Sequence, residues 1–169
     1  IGVGLVGSEM CIRDSLNFLN YEKNQDNKLK IIILGVKNLL SNEINFKNIS
    51  IKEKNNKFEI QNLSLSKKYK IKSISDVDLS YFDNDLLKND VSIKKRDKDY
   101  LLKSNSFNAT KIIDDLLIDD KNSESKKIFS KNFKLNIKIE EAFLDKDHPI
   151  EDLGGYLTFN NSEVIDANL

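Results

Sequence analysis

Cysteine occurs once in this 169-residue chain, at Cys11, and tryptophan not at all; histidine, proline and methionine occur once each, as His148, Pro149 and Met10. A single thiol excludes a disulfide framework and a thiolate metal site. A single imidazole, beside a turn proline and with no serine placed to partner it, leaves no nucleophilic triad. The low aromatic content, 8%, counts against a sugar-stacking surface. Lys+Arg and Asp+Glu are both 27, so the formal net charge is zero and the pI is near 6.8. The two signs are interleaved through every turn, which gives a solvated rim and no phosphate-tracking stripe, so nucleic acid is not an expected partner. Long apolar runs are missing too. The longest, Ile31–Val36 with Gly35 inside it, falls far short of the roughly 20 residues that cross a bilayer. Neither a signal peptide nor a spanning helix is visible.

What is present is alternation. Apolar residues make up 39% of the chain and charged residues 32%, a composition lean in core material that suits sheets wetted on one side. Residues 1–15 resemble a translated sequencing-adapter artefact in "VGSEMCIRDS" and are set aside from fold reasoning; the rest is expected to be an internal fragment of a longer protein. Leu16–Leu19 with Tyr21 make an apolar start. Leu29–Val36 reads as a short, β-branched buried strand. Ile44 and Phe46, then Ile49 and Ile51 after a one-residue slip at Asn48, predict a strand with a bulge. Glu53–Lys57 reads as a hairpin turn in which Asn55 and Asn56 tolerate positive φ. Phe58 and Ile60 carry the next strand, which slips again before Leu63 and Leu65. Ser66–Lys68 turns the chain, and Tyr69 and Ile71 follow. Val77, Leu79 and Tyr81 alternate strictly with Asp78 and Ser80. Strands arrive every 10 to 14 residues or so, joined by polar turns, so sequence neighbours are expected to pair antiparallel as a meander. They occupy 29–107.

From Phe107 the pattern changes. Asn108 can cap a helix whose apolar residues, Ala109, Ile112, Ile113, Leu116 and Leu117, share one face at spacings of three and four. This short amphipathic helix, 108–118, is followed by a polar linker, 119–131. Strands resume over 132–169. Phe133, Leu135, Ile137 and Ile139 alternate with Lys134, Asn136, Lys138 and Glu140. Leu153–Phe159 and Glu163–Leu169 complete the series.

The candidate chemical constellations read as structural. Asp145–His148 offers two carboxylates and an imidazole, but a calcium loop starting at Asp145 would need Gly and Glu where Ile150 and Tyr156 stand. The bland reading is a solvated turn stiffened by Pro149. Asp83 and Asp85 sit in a turn, where aspartate is favoured for backbone hydrogen bonding alone, and Asp78 faces water. Gly154-Gly155 has strands on both sides, so it marks a kink or close backbone approach and not a phosphate cradle at a helix N-terminus. No catalytic residue, cofactor or metal is expected, and the chain is not read as an enzyme.

The stripe of Ile, Leu, Val, Phe and Tyr remains. One helix of about ten residues, roughly 15 Å long, cannot cover the apolar faces of eight or so strands. Either the sheet folds on itself as a sandwich or something else covers it, and the residues alone leave both open.

"SFNATKIIDDLL", then a polar gap, then "FKLNIKIEEAFLDKDHPIEDLGGYLTFNNSEVIDANL" resembles a segment of the AsmA-like family of large bacterial envelope proteins, of YhdP and TamB type. The likeness lies in Phe107 and the cap Asn108 opening a helix after a strand. A later strand carries an "x-L-x-x-L-x-G-x-L" signature around Leu153–Leu157, followed by a polar turn and a last strand. The resemblance implies a mainly β fold, an antiparallel meander forming a curved sheet or open hydrophobic groove with the short helix at one end or edge. It implies a periplasmic protein, anchored in the inner membrane by parts of the parent chain not present here, that binds and conducts phospholipid by its acyl chains between inner and outer membrane. The groove candidates are Val77, Leu79, Tyr81, Phe133, Leu135, Ile137, Ile139, Leu157 and Phe159. The main alternative is a non-catalytic envelope β-sandwich module for assembly or adhesion; a sugar- or polymer-binding sandwich is a third.

Overall fold

Short polar turns set the connectivity. In the computed structural model of the chain, the described residues are 19, 21, 26–38, 43–111, 131–145, 147–160 and 163–169. They form ten strands: β1 Leu29–Asn38, β2 Glu43–Glu53, β3 Asn56–Leu65, β4 Ile71–Ser73, β5 Asp76–Phe82, β6 Lys88–Arg96, β7 Asp99–Asn108, β8 Phe133–Phe143, β9 Pro149–Asn160 and β10 Glu163–Asn168. All belong to one open sheet in the order β1-β2-β3-β5-β6-β7-β8-β9-β10, with the short β4 on the end of β3. The sheet does not close: among the described residues β1 pairs only with β2, and β10 only with β9. The expected mainly β, mostly antiparallel meander is what forms.

One junction departs from a simple meander. β7 and β8 are sequence neighbours but pair in parallel, Tyr100 opposite Leu135 through Asn108 opposite Phe143. Two parallel neighbours cannot be joined by a tight turn, and residues 109–132 supply the long crossover the geometry requires. The expected helix at 108–118 and the linker at 119–131 fall almost wholly outside the described residues, as do residues 1–15. What is described is the helix entry: Thr110 and Lys111 are helical, and the Thr110 amide donates to Asn108 Oδ1 at 3.1 Å, the bond an N-cap makes.

Turn chemistry matches the sequence in place more than in detail. The β2–β3 hairpin turns on Lys54 and Asn55, and the left-handed residue is Lys54, at φ 51°, not the asparagines. Tyr69, expected in a strand, lies in the turn at φ 58°, its amide bonded to the Ser66 carbonyl at 2.8 Å. Gly155 is the described glycine that takes a positive φ. Its φ is 153°, and a Cβ there would lie 2.0 Å from the Asn168 carbonyl oxygen. The expected close backbone approach is therefore between β9 and β10.

Register sorts the side chains into two unlike faces, because residues directly opposite one another point the same way. One row runs Ile31, Ile51, Phe58, Leu79, Val91, Ser104, Ile139, Leu153 across eight strands. The next in the same face runs Ile33, Ile49, Ile60, Val77, Ile93, Leu102, Ile137, Gly155. Between them, on the opposite face, lie Ile32, Ser50, Glu59, Asp78, Ser92, Lys103, Lys138 and Gly154. The first face is apolar and the second largely polar. Ser104 is the one hydroxyl in the apolar rows; it lies 2.8 Å from the Asp90 and Ser106 carbonyls, so its donor is satisfied while buried.

A shared irregularity widens the apolar face. The β6–β7 register shifts opposite Ser104–Ser106, and the skipped position continues as Glu140 in β8 and Asp152, at φ 52°, in β9. Adding one residue exchanges the faces. Phe107 and Ala142 therefore join Val91 and Ile139 in one buried cluster, against which Leu79 and Ala109 also pack. A second cluster, Leu19, Tyr21, Phe58 and Tyr81, shares Leu79 with the first.

Candidate functional site

The apolar face is the one extended feature that chemistry could use, and its two ends differ. At the end where β2, β5 and β7 finish, Tyr21, Phe58 and Tyr81 form an aromatic trio with ring centroids 4.9, 5.2 and 5.9 Å apart. Tyr81 is 1% exposed, and its hydroxyl donates to the Leu19 carbonyl at 3.2 Å. Glu53, equally buried, accepts from the Tyr21 hydroxyl and from Asn27 Nδ2 at 2.8 Å, so its carboxylate is not orphaned. Burial pushes the Tyr81 hydroxyl pKa well above its ordinary value of 10, with the Asp83 charge adding to it. Tyr21 is raised in the same way by burial and by Glu53.

Beside the trio lies a polar knot that the sequence pattern does not reveal. Asp83 Oδ1 accepts from the amides of Asp85 and Leu87, both at 2.9 Å, as a turn aspartate is expected to do. Its Oδ2 accepts from Asn89 Nδ2 at 3.0 Å and Asn108 Nδ2 at 2.8 Å. Asn89 Oδ1 in turn accepts from the Asn108 amide at 2.7 Å. Asp83, Asn89 and Asn108 are all buried. The cap residue of the crossover is thus tied to the β5–β6 turn. Asp83 does more than hydrogen-bond its own turn, but every oxygen and amide it meets is already matched, so the knot is structural.

All nine groove candidates fall on the apolar face. Val77 and Ile137 share one row with Ile93 and Leu102 between them; Leu79 and Ile139 share the next. Leu135 is opposite Leu157, and Phe133 opposite Phe159. Their accessibility divides them. Tyr81 and Ile139 are buried by their own chain. Val77, Leu79, Phe133, Leu135, Ile137, Leu157 and Phe159 are partly exposed. The extensive contacts between described strands are all between sheet neighbours, and Ile60, Val77, Ile93, Leu102 and Ile137 stay partly exposed, while Phe58, Val91, Ser104 and Ile139 in the next row are buried. Ile60, Ile93 and Leu102, legible as apolar strand positions but not among the groove candidates, complete the same rows, and it is register that brings them in.

The opposite end is built from β4, the β6–β7 turn and the start of β8. Tyr100 stands edge-on to Phe133, centroids 5.2 Å apart, and Phe133 stacks on Phe159 at 4.8 Å. A cavity of about 310 Å³ opens there beside Tyr100 and Phe133. A wider depression of about 850 Å³, lined by Ile33, Val36, Phe46 and Leu63 among others, touches the same Ser73.

The remaining motifs are local. Asp145 Oδ1 accepts from the Asp147 and His148 amides and lies 2.9 Å from His148 Nδ1. Those amide bonds, led by that of Asp147, hold its carboxyl below the usual range. This is an exposed turn, as expected. No group of three or more His, Cys, Asp or Glu stands close enough to hold a metal among the described residues, and no described helix is long and apolar enough to cross a membrane. Family models, curated proteins and solved structures offer no match to this chain.

Proposed function

We propose that the apolar face of this sheet holds acyl chains, and that the chain is a segment of an AsmA-like bridge along which phospholipid passes between two membranes. The observation that carries this reading is the apolar row Ile33, Ile49, Ile60, Val77, Ile93, Leu102 and Ile137, which stays at least partly exposed across seven strands, whereas the neighbouring row is buried at Phe58, Val91, Ser104 and Ile139. Six inter-strand gaps of about 4.8 Å make the exposed row roughly 29 Å across. Each methylene withdrawn from water onto such a surface contributes on the order of 0.8 kcal/mol when fully buried. A two-tailed lipid is therefore retained without a dedicated polar site, and can slide because no single contact dominates. The mechanism is passive: tails on Val77, Ile93, Leu102 and Ile137, headgroup in water. Envelope placement, membrane anchoring and the partners at either membrane follow from the family likeness. Gentle purification followed by native mass spectrometry tests the reading: co-bound phospholipid is expected. A lipid-free protein that also fails to take up added phospholipid contradicts it.

A second reading, a non-catalytic assembly module, is favoured by β1 and β10, each paired on one side only among the described residues. β1 carries Lys30 and Lys37, and β10 carries Glu163 and Asp166. Exposed edge strands template further pairing. Here like charges oppose β1–β1 and β10–β10 contacts, while β10 against β1 of a second copy is complementary. Sedimentation over a concentration series distinguishes the readings, since only the second predicts growing, salt-sensitive oligomers.

A further inference from the structure

The apolar rows stop against cations. Ile93 and Leu102 make the last wholly aliphatic rung between β6 and β7; two residues on, Lys95 faces Tyr100. Beyond that rung lies the 310 Å³ cavity, into which four lysines converge from three separate segments: Lys72 from β4, Lys95 and Lys98 from the β6–β7 hairpin, and Lys131 ahead of β8. Lys72 is matched by Glu43. Lys95, Lys98 and Lys131 have no ion-pair partner among the described residues, and Asp97 is the only acid lining the cavity. Three unmatched ammonium groups around one carboxylate leave a net positive mouth on a chain whose overall formal charge is zero. The adjoining wall is Tyr100 and Phe133, continuous with Leu135 through the β8 alternation.

We infer that this cavity receives the anionic headgroup of a negatively charged phospholipid, whose tails lie back over Tyr100, Leu135 and Ile93. The inference rests on the acyl-chain reading above and adds to it a headgroup class and a direction. Lysines suit a phosphate because each is a compact, rotatable point charge able to donate several hydrogen bonds. The apolar wall argues for an amphiphile over a free anion, which would gain nothing from Tyr100 or Phe133. The opposite end cannot serve in the same way, since Leu19 and Tyr21 cover it and its buried carboxylates, Glu53 and Asp83, are already hydrogen-bonded.

The test compares binding of fluorescent-tailed phosphatidylglycerol and phosphatidylcholine to the full chain, with inorganic phosphate as competitor. The wild type is expected to prefer the anionic lipid by about tenfold in low salt, with the preference shrinking as salt screens the lysines. The exposed triple variant Lys95→Gln/Lys98→Gln/Lys131→Gln is expected to lose that preference while keeping its affinity for the zwitterionic lipid within about twofold. The corresponding Lys→Arg triple keeps the preference because the charge remains. Equal binding of both lipids by the wild type, or a preference that survives the Gln triple, overturns the headgroup assignment and leaves the acyl-chain reading standing. Displacement of the lipid by inorganic phosphate at matched concentration assigns the cavity to a free anion and overturns it as well. Failure to bind either lipid removes both readings together.

Discussion

The two ends of the apolar face solve the same problem in opposite ways. At the Tyr81 end, residues far apart in sequence are drawn together: Tyr21 and Leu19 cap Phe58 and Tyr81, and Asp83, Asn89 and Asn108 satisfy one another, with Thr110 Oγ1 the buried side-chain oxygen left without a partner among the described residues. At the Tyr100 end the aromatic side chains stack but stay partly exposed, and of the four lysines around them only Lys72 is paired, with Glu43. The difference separates an end that holds the fold from an end left partly exposed. A buried polar knot and a packed aromatic trio are worth several kcal/mol to folding and leave no surface for a ligand. An open aromatic shelf with unmatched cations contributes little to folding and leaves a surface that a ligand can complete.

The sharpest way to break this contrast is a matched pair of truncations. Tyr81→Ala empties a fully buried site and is expected to destabilise the protein by about 3–5 kcal/mol in urea unfolding. Tyr100→Ala, partly exposed, is expected to cost about 1 kcal/mol. Equal losses would show that the ends are not differently packed. Next in size, Asp83→Asn replaces an acceptor by an amide that faces the donors of Asn89 and Asn108. Leaving buried groups unmatched costs roughly 1–3 kcal/mol, and the same change at exposed Asp97 should be nearly silent.

The ends also differ in alkali. Tyr21 and Tyr81 have hydroxyls raised well above 10 by burial, aided by Glu53 and Asp83. Below pH 10 these phenols are protonated in both folded and unfolded chains, and their contribution to stability is complete. Above it the unfolded chain loses protons that the folded chain keeps, so stability falls by up to about 1.4 kcal/mol per pH unit for each group. Ultraviolet titration should show two tyrosines that ionise only with unfolding; a smooth titration of all five tyrosines near pH 10 would contradict the sealed end.

The smallest effect belongs to the polar face. Lys57, 2.9 Å from Glu59, is the chief cause holding that carboxyl below its ordinary range. The stabilisation is present above the usual carboxylate pKa and is lost as pH falls through the lower folded value. Lys57→Gln is expected to cost less than about 1 kcal/mol at neutral pH, and nothing in strong acid, as thermal melts across pH would show.

How much of this was legible beforehand follows from the range of each signal. Val77, Leu79 and Tyr81 announce their strand because two-residue alternation is local, and the slip between Phe46 and Ile49 is likewise visible where the β1–β2 register breaks. Phe107 and Asn108 mark the end of the strands and the helix entry for the same reason. The parallel pairing of β7 with β8 is not local; it depends on how residues 109–132 return, which no alternation encodes. The knot joins Asp83 to Asn89 and Asn108, and each residue alone reads as ordinary turn or cap chemistry. The lysine cavity is less legible still, since Lys72, Lys95, Lys98 and Lys131 sit in separate polar turns where lysine is commonplace. Register put all nine groove candidates on one face, but burial withdrew Tyr81 and Ile139 from its accessible part.

The most direct test of the central claim, that the middle of the apolar face is open to acyl chains, is site-specific photocrosslinking. A benzophenone side chain is placed in turn at Ile60, Ile93 and Leu102, and at Glu59, Ser92 and Lys103 on the other face, in the presence of a tail-labelled phospholipid. The account predicts lipid adducts at the first three positions and none at the second three. Adducts on both faces alike, or crosslinks from Ile60, Ile93 and Leu102 only to the protein itself, would contradict it.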